Sequence, residues 1–167
     1  MSRQQEHINE FTTLLLLHEK LIYKVCSIYT NNAEDSKDLF QEIVLQVWIA
    51  YPKFKQQSKV STWLYRIALN TAISYKRKSG KVNIIPMPDF LNDHFDVSAS
   101  DQEEYKILQK LIGELPPLEK ALILLYLEDN SYQEIADIMG ITVTNVGTRL
   151  NRIKDKLKQQ AHTLINQ

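Results

Sequence analysis

The 167-residue sequence has a single cysteine, no apolar run long enough to span a bilayer and almost no strand signal, and each absence removes a class of protein. A lone Cys26 cannot form an internal disulfide and fits a reducing compartment. Its apolar setting, LIYKVCSIY, is that of a small buried hydrophobe rather than a reactive thiol. The longest apolar runs, ALILLYL at 121–127 and LLLL at 14–17, fall far short of the ~20 residues a membrane-spanning helix needs. The amino terminus MSRQQEHINE lacks a basic-then-apolar signal pattern, so the expectation is a cytoplasmic protein with no membrane insertion. His7, His18, His94 and His162 are scattered without metal-ligand spacing, and no carboxylate pair, Gly-rich phosphate loop or nucleophile motif occurs. No enzymatic activity, metal or cofactor is therefore expected.

What the chain does have is segregated charge. The formal net charge is zero, but Ile43 to Pro88 contains no Asp or Glu against eight basic residues: Lys53, Lys55, Lys59, Arg66, Lys76, Arg77, Lys78 and Lys81. Asp89 to Glu104 reverses the sign with six acids and no Lys or Arg, and Ile141 to the end carries five basic residues against Asp155. Two basic blocks flanking an acidic bridge suit two separate contacts with a polyanion.

Periodicity predicts an all-α chain. Phe11, Leu14, Leu15, Leu21, Ile22, Val25 and Tyr29 recur at three- and four-residue steps, predicting one long amphipathic helix that ends near Asn31 and Asn32. A second helix follows Asn32, with Glu34, Asp35 and Asp38 where the helix dipole favours acids, and stops before Pro52. A third runs from about Ser61 to Gly80 with its cations in the last turns. Residues 81–100 lose the period, hold two prolines and several acids, and are expected to be a flexible acidic linker. Ser100 with Glu103 is a capping box that opens the next helix, and LPP at 115–117 ends it and starts another, LEKALILLYLED, apolar enough to be the buried one. The expected organisation is two small helical domains, 1–82 and 103–167, joined by 83–102.

The segment SYQEIADIMGITVTNVGTRLNRIKDKL at 131–157 has the make-up of a helix-turn-helix. Ser131 and Glu134 form a second capping box, Gly140 permits a tight turn, and Thr142 caps a helix whose Val146, Leu150, Ile153 and Leu157 share the core side. The opposite side presents Thr144, Thr148, Asn151, Arg152 and Asp155, flanked by Arg149 and Lys156 on one edge and Lys154 and Lys158 on the other. Asn and Arg can make bidentate contacts to base edges in the major groove, and the cationic edges suit phosphates. Outward-pointing Asp155 repels phosphate, so the contact should fade before it.

DLFQEIVLQVW at 38–48 and STWLYRIALNTAISYKRK at 61–78 resemble the two signature segments of bacterial sigma factors of the extracytoplasmic-function (ECF) type, and LPPLEKALILLYLEDNSYQEIADIMGITVTNVGTRLNRIKDKL at 115–157 resembles the family's promoter-reading end. The resemblance implies a two-domain helical protein that binds core RNA polymerase and lends it promoter recognition. Asp38, Gln41, Glu42 and Leu45 match the helix that docks on a coiled coil of the polymerase's large subunit; Trp48 is a second candidate anchor there, with a place in the intramolecular core as the equal alternative. Trp63, Tyr65, Arg66, Asn70, Tyr75, Lys76 and Arg77 match the helix that opens the promoter −10 element. Arg66, Asn70, Lys76 and Arg77 are its expected DNA contacts, while Trp63, sharing a face with Ile67 and Thr71, is expected to be mostly buried. The loop from Phe54 to Val60 matches the family's pocket for a flipped base. In the second domain, Thr144, Thr148, Arg149, Asn151, Arg152 and Lys156 would read the −35 element as duplex. Gly147 stands where many relatives have a basic residue, and Ser74 where they often have an acid. The family further implies an anti-sigma protein that covers both domains. Two expectations compete: a one-component helix-turn-helix repressor with a sensing or dimerising amino-terminal domain, which leaves the acid-free tract unexplained, and a structural or adaptor helical protein whose basic blocks are solvated surface.

Overall fold

The computed structural model describes residues 2–79 and 102–167, and among these the regular structure is helical. The chain divides into two compact units, Met1–Lys78 and Ser79–Gln167. The linker expected at 83–102 and the capping box at Ser100 and Glu103 lie outside the described residues or depend on them.

The first unit begins with two helices where periodicity predicted one: α1, Arg3–Leu17, and α2, Glu19–Tyr29. The break is at His18, whose φ of −119° and ψ of 15° depart from helical values. Four consecutive leucines put apolar side chains on every side of the helix, which hides a change of axis from any periodicity test. The consequence shows in burial: Leu16 and Leu17 are exposed, and α1 buries only Phe11. Helix α2 instead buries a full stripe, Ile22, Val25, Cys26, Ile28 and Tyr29. Burial pushes the Cys26 thiol up to about 12, which is the chemistry of an inert core residue.

Helix α3, Ala33–Ala50, starts at Asn32, whose side chain accepts a hydrogen bond from the Asp35 backbone N–H at 2.8 Å. Leu39, Ile43 and Val47 carry its core face. A single 3-10 turn at Tyr51–Lys53 contains Pro52 and ends the helix where the sequence required. Helix α4, Val60–Ser79, closes the unit on Leu64, Ala68, Leu69, Ala72 and Ile73.

The second unit holds α5, Gln102–Gly113; α6, Pro117–Leu127; α7, Tyr132–Met139; and α8, Val143–Ile165. Residues Lys120 to Leu125 of α6 are all buried, so this is the central helix that its unbroken apolar run demands. Helices α5, α6 and α7 each pack on α8. Val146, Leu150, Ile153 and Leu157 form the buried stripe of α8.

Candidate nucleic-acid and partner interfaces

Local chemistry fixes the entry to α8. The Ser131 hydroxyl accepts from the Glu134 backbone N–H at 3.1 Å while the Glu134 carboxylate accepts from the Ser131 N–H at 2.9 Å, so two backbone donors at the start of α7 are satisfied reciprocally. Gly140 ends α7 at φ 69°, the left-handed region where glycine has no Cβ penalty. Its N–H and that of Ile141 both donate to the Ala136 carbonyl, at 2.9 and 3.2 Å. Two residues later Thr142 caps α8 by accepting from the Asn145 N–H at 3.1 Å. The result is a short helix, a tight turn and a longer helix whose first turns are exposed, the geometry of a major-groove reader.

On α8 the structure brings Thr144, Thr148, Asn151 and Arg152 together on the exposed face, opposite the buried stripe. The Thr148 hydroxyl donates to the Thr144 carbonyl at 3.0 Å, which leaves its oxygen as an acceptor. Arg149 is half-buried, and its Nε donates to the Asn145 Oδ1 at 2.9 Å, which holds the guanidinium against the helix's amino-terminal end. Lys156 Nζ lies 3.7 Å from the Glu119 carboxylate of α6, and Lys154 Nζ sits 3.8 Å above the Tyr126 ring. Glu119 thus competes with phosphate for Lys156.

Sequence reasoning missed two residues here. Asn145 positions Arg149, and its i, i+4 spacing was the available signal. Val143, exposed at the first helical position, offers an apolar surface suited to a thymine methyl. Gly147 points at α7: a Cβ there would meet the Tyr132 ring at 3.5 Å, an ordinary contact, so its glycine is not imposed by crowding.

On α4, Arg66, Asn70 and Arg77 recur at four- and seven-residue steps and are exposed. Ser74 and Lys78 complete this stripe, and neither was singled out as a DNA contact from sequence. Lys76 is half-buried and falls off the stripe. Trp63, Ile67 and Thr71 are partly exposed but mostly covered, as expected for Trp63, and flank the core arc of Leu64, Ala68 and Leu69. Trp63 stacks on Phe54 with ring centroids 4.4 Å apart, which fastens the loop 54–60 to the start of α4. In that loop Gln56 has φ 55°, a left-handed backbone uncommon outside glycine.

On α3, Asp38, Gln41, Glu42 and Leu45 are all exposed along one side. Trp48 is engaged within the chain: Phe11 meets it edge-on at 4.8 Å and His7 at 5.6 Å, so α1 docks through it. A groove of about 600 Å³ separates Asp38, Glu42 and Gln46 of α3 from Asn70, Ser74 and Lys78 of α4. The Tyr75 phenol beside it is held above its usual range by burial first, then by Asp35 and Asp38. Among the described residues no group of three or more His, Cys, Asp or Glu could hold a metal ion, and no helix is long and apolar enough to cross a membrane.

A helix-turn-helix unit and a helical unit bearing a cationic stripe define a DNA-binding protein of transcription. The family profiles "Sigma-70 region 2" and "Sigma-70, region 4" match residues 14–82 and 105–157, and the chain belongs to this family, in its ECF branch. It is 28% identical over 153 residues to the RNA polymerase sigma factor SigV of Bacillus subtilis, covering 91% of each chain. It is 30% identical to the sigma factor YlaC of the same organism, covering 78% of this chain and 79% of that one. With the ECF sigma-E factor of Escherichia coli it shares 29% identity, over 93% and 88% of the two chains. Among solved structures, the fold matches the sigma factor RpoE of Bartonella quintana bound to the anti-sigma factor NepR (TM-score 0.65, 20% identity, 90% of this chain and 96% of that one). It also matches CnrH bound to the cytosolic domain of CnrY (TM-score 0.63, 21% identity, 92% and 88%).

Proposed function

We propose that the chain is an ECF sigma factor that binds core RNA polymerase and directs it to promoters, with α3 docking on polymerase, α4 engaging the −10 element and α8 reading the −35 element. The observation that carries this reading is the pairing of two different surfaces matching family regions 2 and 4 in one chain. A repressor needs only the second.

In the first unit Arg66, Asn70 and Arg77 form the stripe that follows the opened strand, with Lys76 at its margin. Unstacking a base costs a few kcal/mol, offset by stacking and phosphate neutralisation. The Phe54–Trp63 pair and the loop between them supply aromatic surface beside that stripe. In the second unit Asn151 and Arg152 are the base readers, Thr144 and Thr148 enter the groove with the amino end of α8, and Arg149 and Lys156 neutralise phosphates. Asp38, Gln41, Glu42 and Leu45 meet the polymerase.

The catalytic chemistry belongs to the polymerase; this chain acts without a cofactor, in the cytoplasm. An anti-sigma protein, as in the RpoE–NepR complex matched above, is the partner that would hold it inactive. The direct test is transcription from a library of genomic fragments of the source organism by sigma-free core polymerase. Addition of the chain should yield transcripts starting at a recurrent pair of upstream elements. Transcripts identical to those of core polymerase alone would reject the reading.

A further inference from the structure

One edge of α8 carries Arg149, Arg152 and Lys156 at three- and four-residue steps, and α6 supplies a counter-charge for the last of them. Glu119 stands in the first turn of α6, and its Oε2 lies 3.7 Å from Lys156 Nζ. That oxygen is shielded from solvent and has no hydrogen-bond partner among the described residues, although the side chain as a whole is 38% exposed. A carboxylate oxygen out of reach of water is costly unless a cation stands beside it, and here that cation is Lys156. The helix dipole accounts for an acid in the first turn of α6, but not for an oxygen turned towards α8. Seven residues further on, and therefore on the same side of α6, the Tyr126 ring lies under Lys154 Nζ at 3.8 Å. The side of α6 that packs on α8 thus engages two of the lysines that follow Arg152.

We propose that Glu119, which lies outside the helix-turn-helix, sets the strength of DNA binding by holding Lys156 as an intramolecular stand-in for a phosphate. The inference rests on the reading of α8 as a DNA-binding helix. To reach a phosphate, Lys156 must leave Glu119, whose carboxylate then takes up a cation from solution. That uptake cancels most of the counterion release that a lysine–phosphate contact brings, so the contact adds little affinity and little salt dependence. Because phosphates carry no sequence information, the restraint acts on all duplexes alike. Contacts to base edges from Asn151 and Arg152 are untouched by it, so they provide a larger share of the binding that remains. The pair is part-exposed on both sides, which makes its effect a modest factor rather than an on–off switch.

The test is binding of the full chain to a labelled duplex of arbitrary sequence, followed by fluorescence anisotropy over a range of salt concentrations, with folding of each variant checked by thermal melting. Glu119→Gln should tighten binding about two- to fivefold at low salt and steepen the log–log salt dependence by up to about one unit. Lys156→Gln should weaken binding less than Arg149→Gln, since the contact it removes is already offset. In the Lys156→Gln background, Glu119→Gln should have no further effect, which separates competition for Lys156 from a general loss of negative charge. Parental affinity and slope for Glu119→Gln, with binding weakened by Arg149→Gln, would overturn the role of Glu119 while leaving α8 as the DNA-binding helix. Equal gains from Glu119→Gln with and without Lys156 would mean long-range repulsion instead of competition, and would also overturn the inference. Parental binding by both Arg149→Gln and Glu119→Gln, or no binding by any variant, would overturn the reading of α8 itself.

Discussion

Single residues carry the most local consequences. Cys26 is fully buried on α2, and burial pushes its thiol from 9.0 up to about 12. The folded chain therefore keeps a proton that the unfolded chain releases, so the stability linked to this group is intact below pH 9 and is lost as pH rises from 9 towards 12. Cys26→Ala should make the fall in urea midpoint between pH 8.5 and 10.5, an interval of about 2 pH units chosen to start below the unfolded thiol's pKa, shallower than in the parent; an equal slope would mean the thiol is not the group involved. Arg152 is exposed beside Asn151 on the side of α8 opposite its buried stripe. Arg152→Ala should reduce promoter affinity of the holoenzyme by roughly 1–3 kcal/mol while leaving affinity for core polymerase unchanged. Loss of both together, read by polymerase binding without DNA, would contradict the division of labour between the units. The Arg149 tether was only partly legible: the i, i+4 spacing to Asn145 permits it, but does not decide between that bond and a guanidinium extended to solvent. The Lys156–Glu119 pair was still less so, since its partners lie on different helices.

At the scale of elements, what was legible follows from the range of the forces involved. The capping box at Ser131, the left-handed Gly140 and the Thr142 cap are set by bonds reaching three or four residues, and all are present as the sequence implied. The four buried positions of α8 follow from a clean helical period. The break at His18 is different: it separates α1 from α2 without proline or glycine, and the LLLL run masks it. What orients α1 is tertiary, the packing of Phe11 and His7 on Trp48 and Tyr51. For Trp48 the sequence left a docking anchor and an intramolecular role as equal alternatives, and its contacts with Phe11 and His7 supply the second. Gly147 supplies the prediction at this scale. A Cβ there makes an ordinary 3.5 Å contact with Tyr132, so Gly147→Ala should stabilise the second unit by about 1 kcal/mol through helix propensity. A rise in urea midpoint would be the expected reading; a fall would show that α7 and α8 pack too closely there to admit a methyl group.

For the whole molecule, the zero net charge conceals two positively charged tracts, and the structure gives each a surface: the α4 stripe of Arg66, Asn70 and Arg77, and the exposed side of α8. On the function proposed above, the acid-free tract from Ile43 to Pro88 belongs to a chain that follows nucleic acid with its first unit as well as its second. The acids excluded from that tract reappear just before it, at Asp35, Asp38 and Glu42, on the helix assigned to a protein partner. The central claim is that this helix delivers the chain to polymerase, and size-exclusion chromatography with sigma-free core polymerase at moderate salt tests it most directly. The parent chain should co-elute with polymerase, and Asp38→Lys with Glu42→Lys should elute apart from it as a folded monomer. A parent chain that elutes apart from polymerase, when a control sigma factor co-elutes, would contradict the account.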